Sequence, residues 1–400
     1  MVAQINTVII GAGQAGLSVS HLLTQKGIDH LVLEKGKVGE EWKSRRWDAF
    51  HLITPNFMTR LPGFPYKGGK PNGFDSRDEI VKHFENYAKS FNVPLSENTE
   101  VTSVTKDKDV FIVKTNKGDY SAKNVVVAIG SFHKPLVPDI SKNLPKDILQ
   151  IHSSDYKNAK QLPDGAVLLV GGGNSGIQIA NDLNKSGRKV FLSIGRVRIV
   201  PRVYRGKDFM EWAEILGILD RKAEETSEEV KNTTPPILYG NPETVNLRKL
   251  AKDGVQLVGR LKDINTSKAI FNSDLDENIQ KGESALIGFK TTADKYITEH
   301  NLDLPEEKEE SEALEMPKGI ESLDLKANNV TSVIWATGFK DDYDWLKVDV
   351  FDNQNQPVHI KGVSKIPGLH FIGLRWLSKY KSFLLCGIAE DAEYLADHIK

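Results

Sequence analysis

Residues 7–34, TVIIGAGQAGLSVSHLLTQKGIDHLVLE, decide how the chain is read. An apolar run, Val8-Ile9-Ile10, enters the turn Gly11-Ala12-Gly13-Gln14-Ala15-Gly16. A helical pattern follows, with Val19, Leu22 and Leu23 on one face and Lys26-Gly27 as its stop. A second apolar run, Leu31-Val32-Leu33, then ends on Glu34. Strand, glycine turn, helix, strand and acid in that order make a dinucleotide-binding unit. Gly11 is expected to make the tight turn, Gly13 to let backbone approach a pyrophosphate, and Gly16 to bring helix and strand together. The helix amino terminus then turns unpaired N–H groups and partial positive charge towards the phosphates. Glu34, 18 residues past Gly16, is placed to accept hydrogen bonds from ribose hydroxyls. The glycines alone are weak evidence; the agreement of strand, helix and acid makes the signal strong.

The pattern recurs. Ala166-Val167-Leu168-Leu169-Val170 leads into Gly171-Gly172-Gly173-Asn174-Ser175-Gly176, then a helix over Ile177 to Asn184 and a strand over Lys189 to Ser193. This second fingerprint starts 160 residues after the first, and two complete units imply two dinucleotide sites. They differ at the strand end. Ile194 stands at the counterpart of Glu34, followed by Gly195-Arg196-Val197-Arg198, so no acid serves a bare ribose and Arg196 can pair with a 2′-phosphate. The first unit is therefore read as an FAD site and the second as an NADP(H) site. The competing reading of Arg196 is a solvated surface arginine.

The 400-residue length suggests two or three domains, and 39% hydrophobic residues suffice for their cores. A formal charge of −1 argues against nucleic acid or a polybasic membrane contact. No apolar run reaches the roughly 20 residues a membrane span needs. The amino terminus lacks the basic region of a signal peptide, so a cytoplasmic protein is expected. The single cysteine, Cys386, rules out a redox-active CxxC pair and reads as a small buried hydrophobe. The ten histidines show no metal-ligand spacing, and no metal is expected.

Between the units, Gly36 to Gly69 is rich in Gly, Pro and aromatics without periodicity, which in a compact domain marks a functional segment. Ser76 to Phe91 reads as an amphipathic helix with Ile80, Phe84 and Tyr87 or Ala88 inward and a Ser76/Glu79 capping box. Val101–Val104 and Val110–Thr115 read as a meander, followed by a buried strand, Val125 to Gly130. Gly206 to about Asp324 reads as mostly helical and charged, and Glu306 to Glu315 as a solvated acidic face. Val330 to Gly338 repeats the small-x-Gly ending of the strand at Gly130, which suggests a nested layout. Leu369 to Gly373 is a further strand and Phe383 to Lys400 a terminal helix, its amino end aimed at the flavin ring. The fold class is α/β, two nested Rossmann-like domains: an FAD domain over 1–160 and 326–400, and an inserted NADP(H) domain over 161–325 carrying the helical insert.

With these features the chain resembles the flavin-containing monooxygenases, in the group with the plant YUCCA enzymes. The resemblance rests on both glycine fingerprints, Gly39-Glu40-Glu41-Trp42, Thr54-Pro55-Asn56, Leu61-Pro62-Gly63-Phe64-Pro65 and Ala336-Thr337-Gly338-Phe339. It covers nearly the whole length and thins over 206–324. Two departures stand out: Ile129 where Thr is commoner, and a fingerprint FxGxxxHxxxY kept only as His152 and Tyr156, with Lys146 and Ile148 at its first positions. The Baeyer–Villiger enzymes carry Trp where Tyr156 stands, which points away from ketone insertion.

The resemblance implies hydride transfer from NADPH to FAD, reaction with O2 to a C4a-(hydro)peroxide, and oxygenation of a small organic S, N or carbonyl compound. It places Asn56 near that peroxide and the nicotinamide, as the candidate catalytic residue; its bland reading is a turn residue after Pro55. Motifs and resemblance together give the expected cofactor-binding residues: Gly11, Gly13, Gln14, Ala15, Gly16, Glu34, Lys35, Trp42, His51, Thr54, Val101, Ala128, Gly130 and Gly373; Gly171, Gly173, Asn174, Ser175, Gly176 and Arg196; and Ala336, Thr337 and Gly338. Arg45 and Arg46 are read either as FAD contacts or as solvated charge. Trp376, Tyr380 and Phe383 are read either as lining a substrate cavity or as interface or core residues. Three functions stay open: an NADPH-dependent monooxygenase, an NADPH oxidase or diaphorase-type reductase without oxygen transfer, and a non-catalytic nucleotide sensor. A homodimer is compatible with the class.

Overall fold

The computed structural model describes residues 2–265, 267–307 and 314–400, and within them the two fingerprints belong to two separate sheets. In the first, strand Ala3–Ile10 lies parallel between His30–Leu33 and Gly118–Val127. Leu95–Ser96 extends one side; Leu369–Phe371, then Val363–Ser364 and His359–Ile360, extend the other. The expected meander forms from Val101–Asp107 and Val110–Thr115 and runs back into Gly118–Val127. The second sheet is all parallel, in the order Leu149–His152, Val330–Trp335, Ala166–Val170, Val190–Ser193, Gln256–Val258. Val8 and Ile9, like Val167, Leu168 and Leu169, are fully buried. Central strands covered on both faces are uniformly apolar, which is why these read as continuous runs and not as alternation.

The repeat is structural as well as textual. The Gly11 N–H donates to Leu33 O and the Ala128 N–H to Ile10 O, at 2.8 and 2.9 Å. The Gly171 N–H donates to Ser193 O and the Ala336 N–H to Val170 O, at 2.9 and 2.8 Å. A Cβ on Gly11 (φ +107°) would stand 2.7 Å from Ala128 O, and one on Gly171 (φ +122°) 2.3 Å from Ala336 O. Each small-x-Gly strand end thus runs directly beneath the first glycine of its own unit.

Three expectations change. Leu149–His152 and Val330–Trp335 pair in the second sheet, so that sheet reaches across the boundaries placed at 160 and 326. The stretch 206–324 is less helical than its charge suggested. It supplies Gln256–Val258 to the second sheet and builds a small antiparallel sheet from Leu261–Asn265, Lys268–Phe271 and Ser322–Asp324. Its long helix is Leu275–Glu299. The terminal helix spans only Ile388–His398, preceded by a 3-10 turn at Tyr380–Phe383. Most of the Glu306–Glu315 acidic stretch lies outside the described residues. Helix Arg77–Ser90 forms as expected, with the reciprocal Ser76/Glu79 capping box and Ile80, Phe84 and Tyr87 fully buried. Among the described residues no helix is long and apolar enough to cross a membrane.

Candidate functional site: a nucleotide cleft and a second nucleotide unit

A cavity of about 320 Å³ opens at the carboxyl ends of the first sheet's strands. Of the residues expected there, Gly11, Gly13, Gln14, Ala15, Glu34, Lys35, Trp42, Val101, Ala128, Gly130 and Gly373 line it. Gly16 lies beneath: its Cβ would stand 1.9 Å from Gly11 O, so only glycine lets helix Gln14–Gln25 sit this close to the turn. A Cβ on Gly13 would meet nothing within 4 Å, because the space before it is the cleft.

The helix ends are built for anions. Helix Gln14–Gln25 starts at Gly13 with no side-chain cap and no acid in its first turn, and helix Asn174–Lys185 starts at Gly173 in the same way. Helix Arg77–Ser90, by contrast, is capped by its own side chains. The uncapped first turns leave N–H donors for a phosphate.

Glu34 is 7% exposed, and its carboxylate accepts from the Ala12 and Gly36 N–H groups, both at 2.8 Å. Burial pushes its pKa up, against those two bonds and Lys35, which pull it down. Lys35 is itself paired with Glu41 at 2.7 Å. In the second unit Ile194 takes Glu34's place and is fully buried; its side chain would lie 2.9 Å from a Cβ on Gly172. Beyond it Arg196 is exposed, without an ion pair among the described residues.

Arg46 is the cleft residue that sequence left undecided. Its guanidinium lies 5.4, 5.6 and 5.5 Å from the ring centres of Trp42, Phe50 and Phe132 and donates only to Arg45 O, at 3.0 Å. Burial lowers its pKa to about 10. Arg45, in contrast, pairs with Glu41 at 2.9 Å. The cleft also takes in Ile129 of the first small-x-Gly strand end and residues no motif marked, among them Phe132, His133, Asp342 and Trp345. Asp342 and Trp345 follow directly after Phe339, and tracing the chain past that motif would have found them. The Asp342 N–H donates to His133 Nδ1 at 2.8 Å, which leaves the ring proton on Nε2, 2.8 Å from Gly130 O.

Other expected residues lie elsewhere. Asn56 is 2% exposed and does not line the cleft. Its Nδ2 donates to Lys70 O (3.0 Å) and Tyr66 OH (3.3 Å), and its Oδ1 accepts from the Asp75 N–H (2.7 Å). The amide is used up holding the 56–75 loop, as a turn residue would be. His51 and Thr54 sit on the segment facing the second unit. There Gly240 packs on His51, and buried Arg202 donates to Ile53 O at 2.6 Å while pairing with Asp208 at 2.7 Å. Ala336 and Gly338 belong to the second unit and its crossing: Gly338 O accepts from the Leu136 N–H at 2.9 Å and lies 2.9 Å from His152 Nε2. Thr337 Oγ1 donates to Leu136 O. Asn174 spends its side chain on the 236–238 segment, accepting from the Leu238 N–H at 2.6 Å. Gly173 and Ser175 stay at the open turn, and Gly176 sits against Gly171 O as Gly16 sits against Gly11 O.

What remains of the FxGxxxHxxxY fingerprint is a clamp. The Tyr156 hydroxyl donates to Asp182 on the second unit's helix at 2.8 Å, while Lys157 Nζ donates to Ser44 O and Arg46 O beside the first unit's cleft. Cys386 is buried among Met58, Trp212, Leu238 and Phe289, where desolvation pushes its thiol up to about 11.

Two uncapped glycine turns, one ending on an acid and one on a free arginine, define a flavoprotein oxidoreductase with two nucleotide sites. Residues 8–205 match the family model described as pyridine nucleotide-disulphide oxidoreductase. An uncharacterised CzcO-like oxidoreductase of Geobacillus kaustophilus is 34% identical over 99% of this chain and 98% of its own. The rice indole-3-pyruvate monooxygenase YUCCA1 is 26% identical over 90% of this chain and 82% of its own. A flavin-containing monooxygenase from Stenotrophomonas maltophilia has the same fold, with TM-score 0.70 at 19% identity, covering 100% of this chain and 98% of that one. The chain belongs to the flavin monooxygenase family. It is an oxidoreductase, and the cyclohexanone monooxygenase of Rhodococcus sp. Phi1, solved with NADP+, shares its fold with TM-score 0.61 at 16% identity, covering 99% of this chain and 84% of that one. FAD, when bound, supplies hydride acceptance and the activation of oxygen.

Proposed function

We propose that the chain is an NADPH-dependent monooxygenase that oxygenates a small organic compound at sulfur, nitrogen or a carbonyl. The supporting observation is a flavin-type cleft coupled to a second nucleotide unit in a chain whose one thiol is buried and unreactive. Electrons entering from NADPH then have no protein dithiol to reduce. In this reading Gly11, Gly13, Glu34, Trp42 and Arg46 hold the flavin nucleotide, while Gly171, Gly173 and Arg196 hold NADPH. The His152–Lys157 clamp fixes the two units relative to each other. NADPH supply favours a cytoplasmic setting.

One observation favours a second reading. With both Asn56 donors committed to its own loop, that amide is not free to steady an oxygenated flavin, as an NADPH oxidase would have it. Coupling distinguishes the two. The holoenzyme is given NADPH, O2 and a panel of thioethers, amines and ketones, and oxygenated product and hydrogen peroxide are counted against NADPH consumed. Near-stoichiometric product for one class supports the monooxygenase; stoichiometric peroxide across the whole panel overturns it. Arg196→Gln tests the cofactor assignment: it should raise the KM for NADPH by about 10-fold or more, for a lost charge-assisted phosphate contact, and leave NADH unchanged.

A further inference from the structure

Arg202 is a charged side chain with no exposed surface, and it stands between the two units. Its backbone is fixed on the second: the Arg202 N–H donates to Thr244 Oγ1 at 2.9 Å, and Arg202 O accepts from the Phe209 N–H at 2.8 Å. Its guanidinium serves both. Nε donates to Asp208 Oδ2 at 2.8 Å, and Nη2 lies 2.7 Å from the same oxygen as an ion-pair contact without an aligned hydrogen bond. Nη1 crosses to the first unit and donates to Ile53 O at 2.6 Å, while the Phe74 ring centre lies 4.5 Å from Cζ. Asp208 is held in turn, because its Oδ1 accepts from the Met210 N–H at 2.8 Å and caps helix Phe209–Ile215.

Each end of this contact leads to a nucleotide turn or its cleft. On the first unit, Ile53 and Phe74 lie in two stretches of chain that are zipped together. Leu52 N–H donates to Asp75 O (2.9 Å), Asn56 N–H to Gly73 O (2.9 Å) and Arg77 N–H to Phe50 O (3.1 Å). Three residues before Ile53, the Phe50 ring packs against Trp42 and Arg46 of the cleft, at 6.0 and 5.6 Å. On the second unit, helix Asn174–Lys185 grips Leu238 from its first turns: Asn174 Oδ1 accepts from the Leu238 N–H at 2.6 Å, and Gln178 Nε2 donates to Leu238 O at 3.0 Å. The Ile237 N–H then donates to Arg198 O at 2.9 Å, four residues before Arg202. Every step from the nucleotide helix to the cleft wall is bonded or packed, and Arg202 makes the crossing.

A buried ion pair adds little adhesion between two surfaces. Desolvation offsets most of the Coulombic gain, and hydrocarbon of the same volume often holds as well or better. What the guanidinium fork adds is direction, since nitrogens aimed at acceptors on two different units fix the separation of those units. Arg60 also reaches across, to Glu214 at 2.5 Å, but those side chains are 41% and 36% exposed, and so exposed a pair constrains little.

We propose that Arg202 is a positioning residue for hydride transfer, holding the Trp42, Arg46 and Phe50 wall of the cleft at a fixed distance and angle from the second nucleotide unit. In that step a hydride leaves NADPH, giving NADP+, and adds to FAD, giving the anionic reduced flavin. This rests on the reading that NADPH held at the second unit reduces FAD held at the first.

The test variant is Arg202→Met/Asp208→Asn, which removes both charges together, keeps a capping side chain at 208 and leaves no charge buried alone. In FAD-loaded protein, anaerobic flavin reduction by saturating NADPH, followed by stopped flow, should slow about 10- to 100-fold, the effect of a reacting distance out by about 1 Å. The Kd values for FAD and NADP+ should not change, nor should reduction by dithionite, which needs no second unit. Amide hydrogen exchange over 50–57 and 71–77 in the full chain should quicken with and without FAD, while strand Ala3–Ile10 keeps its protection. Arg202→Lys keeps a charge beside Asp208 but loses the fork, and its reduction rate should fall between those of the double variant and the wild type. An unchanged reduction rate in the double variant overturns the proposal. So does a slowing that saturating NADPH abolishes, which would make Arg202 part of NADPH binding. Variants that shed FAD yet reduce at the wild-type rate once it is resupplied overturn it too, because Arg202 then only supports the fold. Wild-type flavin that NADPH leaves oxidised overturns this proposal together with the reading beneath it; a reducible wild type and an equally fast variant overturn this proposal alone.

Discussion

Replacing Arg46 by methionine should change the apoprotein and the holoprotein in opposite directions. In the cleft its guanidinium has one backbone carbonyl and three aromatic faces but no carboxylate, and burial lowers its pKa from 12.5 to about 10. At about 1.36 kcal/mol per pKa unit, holding that charge costs the empty fold about 3 kcal/mol at neutral pH. The rings return about 0.5–1 kcal/mol each. The net cost is on the order of 1 kcal/mol, and methionine, similar in stem and uncharged, relieves it. A flavin pyrophosphate would repay the charge with hydrogen bonds worth about 1.5–3 kcal/mol, so its loss should raise the Kd for FAD about 10- to 150-fold. Urea unfolding of flavin-free protein and fluorescence titration with FAD measure the two effects separately. An Arg46→Met apoprotein that is less stable, with an unchanged Kd for FAD, would refute the reasoning and make Arg46 a packing residue.

The two glycines of the first turn should separate fold from function. Gly16→Ala puts a Cβ 1.9 Å from Gly11 O and should cost about 3 kcal/mol or more by overpacking, read as a collapse in melting midpoint; Gly13→Ala, with open space before it, should fold normally and lose FAD affinity alone. His370, 3% exposed with neither ring nitrogen hydrogen-bonded, has its pKa lowered by burial, then by His398, to about 4. It stays neutral in the fold while the unfolded chain takes up a proton below about 6.5, so its contribution is lost as pH falls, by about 3 kcal/mol between pH 6.5 and 4. His370→Leu should therefore flatten the acid limb of the stability curve, and parallel curves for the two proteins would exclude His370 as its cause. Tyr156→Phe removes the donor to Asp182 and should lower the unfolding free energy by about 1–2 kcal/mol, measured by denaturant titration.

Which parts of this were legible in the sequence follows from where the physics is local. The two fingerprints were, because glycine turn, amphipathic helix and buried central strand each leave a mark within 30 residues of chain. The antiparallel strands Leu261–Asn265 and Lys268–Phe271 were not: each buries only one face, and their charged exposed positions read as a solvated helix. The strand Val330–Trp335 was recognised as a strand, but nothing in its six residues says which of two similar sheets it joins. Arg46 and Asn56 show the same limit for side chains. An arginine in a charged loop is solvated or cleft-lining according to whether a partner reaches it, and Glu41 reaches Arg45 instead. An asparagine after proline is a catalytic or a turn residue according to what lies 10 to 19 residues downstream, here Tyr66, Lys70 and Asp75.

The two units are alike where backbone must approach backbone and unlike where a ligand must be told apart. Ala128 beneath Gly11 and Ala336 beneath Gly171 answer one steric demand, since neither glycine could carry a side chain over a strand end that comes this close. Glu34 and Ile194 answer different ones: the first leaves an acceptor at the cleft floor, the second fills its place with hydrocarbon, and in the proposed function recognition passes outward to Arg196. Surroundings extend the difference. Over the first turn, Trp42, Arg46, Phe132 and Trp345 close in from three separate segments, whereas over the second Gly173 and Arg196 are exposed. A ligand walled by several segments leaves only when they move apart, and one held at an open strand end leaves freely. That is the arrangement a retained flavin and an exchanging nicotinamide require, and it arises here from one duplicated unit whose copies differ chiefly in what covers them.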